Sequence, residues 1–253
     1  MLILPSLYNK VLISLTKKFY MKKLFLLVIA AATVGFSYAQ TADEIINKHI
    51  VAIGGVDAWK KVNSMVSTGT VKVQSAEIAM TQTVLNNKGS RLDLSVMGMN
   101  GYQIVTPTAG WNFMPFQGQK APEPVTSDDL KEAQDDLDVQ GSLIDYKTKG
   151  HSIEYVGTDD IEGVDAIKLK ETLKSGKVVT IYFDPKTYYI IRTVSKQKAN
   201  GKEMDVTTNL NNYQKLPEGI MVPFSIGLPF GELTLTKVEI NKPIDENIFK
   251  PSK

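Results

Sequence analysis

Arg91-Leu92-Asp93-Leu94-Ser95-Val96 alternates without a break, with Leu92, Leu94 and Val96 on one side and Arg91, Asp93 and Ser95 on the other. A period of two is the pleat of a strand that buries one face and wets the other. The same period extends in both directions. Upstream, residues 65–74 set Met65, Val71 and Val73 on one face, and residues 77–84 do the same with Ile78, Met80 and Val84. Between these strands and Arg91, Asn86-Asn87-Lys88-Gly89 supplies turn chemistry. Downstream, residues 102–106 and 111–114 read as shorter strands separated by Pro107 and Gly110.

After Gly150 the spacing predicts strands over 152–156, 166–173, 178–183, 189–196, 204–212, 221–226 and 232–240. Their joints are turn formers: Ser175-Gly176, Asp184-Pro185-Lys186, Asn200-Gly201 and Pro217-Glu218-Gly219. Short turns between successive strands make antiparallel neighbours. The expected fold is therefore mainly β (α+β), about eleven strands in one antiparallel sheet large enough to curl. Helices are expected at two places. Thr41-Ala42-Asp43-Glu44 is a capping box ahead of Ile45, Ile46, His49, Ile50 and Ile53 at helical spacing, with a further turn over 57–62. Thr126 or Ser127 caps a second helix with Asp128 and Asp129 in its first turn and Leu130, Ala133 and Leu137 on one face. A short helix is also expected over 142–146. These helices are expected to pack on the concave side of the sheet.

The N-terminus reads as an address. Met21-Lys22-Lys23 is a basic start, residues 24–36 are apolar or small, and Ser37-Tyr38-Ala39 offers small residues for cleavage. The expected organisation is an upstream mis-start over 1–20, a signal peptide over 21–39 and a single exported domain over 40–253. Residues 1–39 hold five lysines and no acid, so of 29 basic and 27 acidic side chains the remainder keeps 24 and 27, a formal charge of −3. A mildly acidic domain lacks the footprint of a nucleic-acid binder. With no cysteine there is no disulfide, no thiolate nucleophile and no residue to carry a lipid anchor.

Catalytic signals are weak. His49 and His151 are the two histidines; His49 lies on an apolar helix face and reads as a packed residue, His151 as an exposed turn residue. No nucleophile elbow, P-loop or dinucleotide fingerprint occurs. Asp128-Asp129, Asp135-Asp136-Asp138 and Asp159-Asp160 fit solvated faces better than metal or acid–base sites. No catalytic residue, metal or cofactor is expected. What stands out is apolar and adaptable: methionines in or beside strands, aromatics where strand meets loop. A curled sheet with a partly filled inner face becomes a ligand cavity. At about 0.8 kcal/mol per methylene, an acyl chain offers on the order of 10 kcal/mol gross without any catalytic group.

Several segments together carry a family likeness: residues 59–69; Arg91-Leu92-Asp93-Leu94; Gly110-Trp111-Asn112-Phe113-Met114-Pro115-Phe116; residues 162–170; Tyr182-Phe183-Asp184-Pro185-Lys186-Thr187; and Phe249-Lys250-Pro251. The sequence resembles the LolA/LolB-like superfamily of periplasmic lipoprotein-localisation factors, in the branch of outer-membrane lipoprotein-sorting proteins. The resemblance implies an incomplete β-barrel lidded by helices, whose inner face shelters acyl chains. It implies a soluble, monomeric carrier whose partners are lipoprotein acyl chains or lipid, together with transfer partners at the inner and outer membranes, and no nucleic acid. The family's lid-holding basic residue falls in the turn before Arg91, where Lys88 stands. The cavity lining expected is Leu92, Leu94, Met97, Tyr102, Ile104, Trp111, Phe113, Phe116, Ile181, Phe183 and Phe224. A lipid- or partner-sensing envelope module of the same fold is the alternative, and a hydrolase or metal enzyme the less favoured one.

Overall fold

The computed structural model describes residues 41–73, 76–199 and 202–252. The expected mis-start and signal peptide (1–20 and 21–39) lie outside these residues. The chain first forms α1 (Ala42–Ala52) and the short α2 (Val56–Trp59), and then strands. These are β1 (Ser64–Val73), β2 (Ala76–Leu85), β3 (Gly89–Val96), β4 (Met99–Val105), β5 (Gly110–Phe113) and the two-residue β6 (Glu123–Pro124). An insertion follows with α3 (Ser127–Ala133) and α4 (Tyr146–Lys149). The second run is β7 (Ser152–Ile161), β8 (Val164–Thr172), β9 (Val178–Phe183), β10 (Ile190–Ala199), β11 (Lys202–Lys215), β12 (Met221–Leu228) and β13 (Gly231–Ile240).

All of them join one sheet in the order β6-β5-β4-β3-β2-β1-β13-β12-β11-β10-β9-β8-β7. Every neighbour pair is antiparallel, and only β1 with β13 joins strands distant in sequence. That pair welds two meanders into a curled, incomplete barrel with β6 and β7 at its edges. The sequence estimate of about eleven strands becomes thirteen among the described residues; the one strand that matches none of the predicted segments is β6, which is too short to show a period. The short helix expected over 142–146 lies instead at Tyr146–Lys149. Asp145 takes a left-handed φ of +54° and starts a new helix rather than continuing one.

Register fixes which side chains share a face. Leu92 pairs with Gln82 and Gln103, and Leu94 with Met80 and Gly101. Val71 pairs with Ile78 and Leu233, and Leu233 with Ile226. This row is the inner face. It continues through Phe224 to Ile181, Phe183, Ile167 and Leu169. Gly69 is required where β1 bulges against β13, since a Cβ there would stand 2.5 Å from the Thr234 carbonyl oxygen.

α1 begins at Thr41, whose Oγ1 accepts from the Glu44 N–H at 3.2 Å. Its apolar stripe lands on the inner face: Ile45 and Ile46 pack with Leu143, Ile167, Leu169, Ile181 and Phe183. Beside it Trp59, Ile53 and Ile144 pack with Leu216, Ile220, Val222 and Phe224. The Trp59 indole N–H donates to the Ile53 carbonyl at 3.0 Å, so the buried ring leaves no orphan donor.

Candidate functional site: the inner face of the sheet

The inner face has two halves. Over β8, β9 and β12 it is filled by α1, α2 and residues 143–144. Over β1, β2, β3, β12 and β13 the cluster of Val71, Met80 and Leu233 with Val73, Ile78, Leu92, Leu94, Ile226, Leu228 and Leu235 contains, among the described residues, strand residues alone. Leu92, Leu94, Ile226 and Leu228 remain only partly buried. Phe116, in the 3₁₀ turn Pro115–Gln117, leans over this half: its ring lies 2.8 Å from where a Cβ on Gly101 would stand, and Gly101 is opposite Leu94.

The structure divides the residues expected to line one cavity. Leu92, Leu94 and Phe116 belong to the half that, among the described residues, no helix fills. Ile181, Phe183 and Phe224 point to the same face but are buried beneath helices. Met97 stands at the tip of the β3–β4 turn, 88% exposed. Tyr102, Ile104, Trp111 and Phe113 are a correction. Ile104 pairs with Arg91 and Trp111, not with Leu92, so this row lies on the outer face. There it packs with Leu85, Ile244, Ile248 and Phe249 of the C-terminal segment. Gly89 makes room for that segment, since a Cβ would sit 2.6 Å from the Phe249 ring. The Tyr102 hydroxyl donates to the Ser252 carbonyl at 2.6 Å and accepts from the Ser252 N–H at 2.9 Å, and the Arg91 guanidinium lies 4.5 Å from the Tyr102 ring centre.

The insertion is tied to the β2–β3 turn by asparagines. The Asn87 N–H donates to the Leu137 carbonyl at 2.8 Å, and Asn86 Oδ1 accepts from the Val139 N–H at 3.2 Å. Lys88 pairs instead with Glu246 in the C-terminal 3₁₀ turn. A cleft of about 740 Å³ opens between Gln103, Val105 and Asn112 of β4–β5, α3, and the β8–β9 turn at Ser175–Val178. Its wall is polar as well as apolar, and Asn112 Oδ1 is buried there without a hydrogen-bond partner.

The buried ionisable groups lie toward the filled half. His49 Nδ1 donates to the Tyr188 carbonyl at 2.8 Å, and its ring meets Phe183 edge-on at 5.2 Å. Burial pushes its pKa down to about 4, against a smaller upward pull from that hydrogen bond. His49 is thus a neutral packing residue at pH 7. His151 Nδ1 accepts from the Lys174 N–H at 3.0 Å. Glu171 was not singled out by any sequence signal, being one acid in a strand. It is 1% exposed, and only one carboxylate oxygen is paired, accepting from Ser142 Oγ at 2.8 Å. Burial raises its pKa. The Ser142 bond opposes this, Asp135 adds to it, and Lys149 opposes it.

An open antiparallel sheet curled around a helix, with part of its inner face apolar and not covered by any helix of the described residues, is a LolA-like fold. Two solved structures make the likeness concrete. A LolA superfamily protein from Nitrosomonas europaea superposes with a TM-score of 0.52 at 17% identity, over 84% of this chain and 98% of that one. A domain described as an outer membrane lipoprotein-sorting protein, from Vibrio parahaemolyticus, gives 0.51 at 14% identity, over 81% and 94%. No protein-family model matches the sequence, and no curated protein sequence matches it. At these identities the likeness is one of fold, and function has to be argued from the site.

Proposed function

We propose that the protein is a periplasmic carrier, exported by its N-terminal signal, that shelters the acyl chains of a lipoprotein or lipid on the uncovered half of its inner face and serves outer-membrane lipoprotein sorting. The observation that carries this reading is the strand-only cluster around Leu92, Leu94, Ile226 and Leu228. In a soluble domain a contiguous apolar face normally receives a helix, as it does over β8 and β9. Here no helix of the described residues covers the face, and an acyl chain matches its chemistry with no directed polar group required. Among the described residues no helix is long and apolar enough to cross a membrane. The chain has no cysteine to acylate, so the cargo's lipid would be held rather than shared.

Native mass spectrometry of protein purified from its source compartment should show bound lipid or lipoprotein. A fluorescent fatty acid should bind the delipidated protein and be displaced by an acylated peptide. Leu94→Lys, which places a charge in the middle of the uncovered row, should weaken that binding at least tenfold while leaving the folded far-UV spectrum intact. Wild-type protein that neither carries lipid nor binds acylated peptide would sink the proposal.

A further inference from the structure

β4 and β5 carry the reverse of what strands wrapped around an apolar core would show. Their outer positions are Tyr102, Ile104, Trp111 and Phe113, and their inner positions are Gly101, Gln103, Val105, Gly110 and Asn112. Directly opposed residues of antiparallel neighbours share a face. Register therefore sets Gln82, Leu92, Gln103 and Asn112 in one row across β2, β3, β4 and β5. The row changes character along its length. Leu92 belongs to the apolar cluster of the inner face. Gln103 and Asn112, the next two positions, are carboxamides that line the cleft of about 740 Å³. The cleft is thus the polar continuation of the apolar surface, beginning on the neighbouring strand.

Packing holds the cleft open on its α3 side. Gly110 lies against the start of the insertion, where a Cβ would stand 2.7 Å from a Val125 methyl group and 3.4 Å from Leu130. Thr126 Oγ1 then accepts from the Asp129 N–H at 3.2 Å and starts α3. The charges inside are mixed, with acids in excess. Lys196 pairs with Glu203 at 3.8 Å, Lys177 shares the cleft with Asp136, and α3 adds Asp128, Asp129 and Glu132 against Lys131. An anionic head would enter against that excess. The unmet demand is instead for a donor. Asn112 Oδ1 is buried and accepts no hydrogen bond among the described residues. A carbonyl oxygen takes such a bond only from an N–H or O–H, and leaving it unpaired is costly.

We infer that this cleft receives the head of the cargo and selects acyl chains joined through an amide over chains that end in an ester or a carboxylate. Selection at the head rests on the carrier reading and adds the chemistry of the group next to the chain. With the chain against Leu92 and Leu94, its first polar group meets Gln103 and Asn112. A secondary amide offers one donor and one acceptor. Its N–H donates to Asn112 Oδ1, and its carbonyl accepts from the Gln103 side-chain amide. An ester has no donor. A carboxylate has none either, and brings a charge that the acids of the cleft oppose. An acylated peptide and an amide-linked lipid both carry this group.

The test is displacement of a bound fluorescent fatty acid from the delipidated protein by ligands that share a dodecanoyl chain. They are an N-dodecanoyl dipeptide amide, N-dodecanoyl ethanolamine, methyl dodecanoate and dodecanoate. The amides should act at concentrations about tenfold lower than the ester, the scale of one buried hydrogen bond, and dodecanoate should do no better than the ester. Asn112→Ala should close the gap between amide and ester, and Gln103→Leu should narrow it. The gap is a ratio taken within each variant, so a partly unfolded preparation does not change it. Displacement by both amides assigns the cleft to the amide group itself, and displacement by the dipeptide alone assigns it to an acylated peptide; either supports the site. Equal displacement by amide and ester in the wild type, or a gap that survives Asn112→Ala, overturns head selection and leaves the carrier reading standing. Failure of every ligand to bind, the fluorescent fatty acid included, removes the carrier reading and head selection with it.

Discussion

Phe183 and Leu94 point to the same side of one continuous sheet, yet their surroundings differ. Phe183 is fully buried under α1, packed with Ile45 and Ile46 and edge-on to His49. Leu94 is only partly buried, and its apolar neighbours are other strand residues. One face therefore has two kinds of surroundings. In the first half the N-terminal helix acts as a permanent filler, and the packing there is that of an ordinary core. In the second half no helix of the described residues fills the same pleat, which forgoes burial free energy that a helix would otherwise supply. The difference teaches that stability and the proposed binding site occupy neighbouring strands of one sheet, so substitutions should separate them cleanly.

The largest expected effect is on the filled half. Phe183→Ala should cost about 3–5 kcal/mol of unfolding free energy, the range for emptying a buried aromatic site, read as a lowered urea midpoint. Leu94→Ala should cost only about 1 kcal/mol, while reducing fatty-acid affinity. If the two truncations destabilise equally, the halves are not distinct and the uncovered row is simply core.

A smaller effect is expected at Glu171, at the margin of the filled half. Burial holds its carboxyl above the ordinary range, so the folded protein binds this proton more tightly than the unfolded chain does. Below the unfolded-chain value, about 4.3, both states are protonated and nothing is lost. As pH rises through the folded-state value, the native state must hold a buried charge with one unpaired oxygen, and stability falls. Glu171→Gln should therefore gain roughly 1–3 kcal/mol at neutral pH, the scale of an unsatisfied buried acceptor, and gain nothing below pH 4. Urea titrations of both proteins across pH 4–8 read this directly. A pH-independent difference would mean that folding leaves the Glu171 carboxyl's affinity for its proton unchanged, and a difference that grows as pH falls would assign it a paired, charged state.

The sequence made the strands legible and left their sidedness hidden. Alternation in residues 91–96 shows that Leu92 and Leu94 share a face, and Thr41 and Thr126 announce their helices by cap chemistry that the structure contains. But a period of two does not say which of two faces looks inward. Tyr102, Ile104, Trp111 and Phe113 are as apolar as the inner row, and they lie outside because the register sets Ile104 against Arg91. Their cover arrives from Phe249 near the C-terminus, a contact that no local pattern encodes. Ile226, Leu228 and Leu233 join the site because β13 closes against β1, a pairing between the two ends of the strand run. Glu171 had no signal at all, since a lone acid in a strand reads as solvated until its neighbours are known.

The smallest effect concerns how the insertion is held beside the uncovered half. A basic residue was expected to do this from the β2–β3 turn, and Lys88 instead reaches the C-terminal turn. Asn86 is the side chain that meets the insertion, through its Oδ1 and the Val139 N–H. Asn86→Ala should lose about 0.5–1.5 kcal/mol, the net worth of one such bond. The loss should be local, since the Asn87 N–H still donates to the Leu137 carbonyl from the backbone. Hydrogen exchange should therefore quicken over residues 134–140 without changing in α1. Lys88→Ala should leave that segment's exchange as it is. If Lys88→Ala loosens it and Asn86→Ala does not, then the charge in this turn holds the insertion after all, and the uncovered half is gated from the turn by electrostatics rather than by an amide.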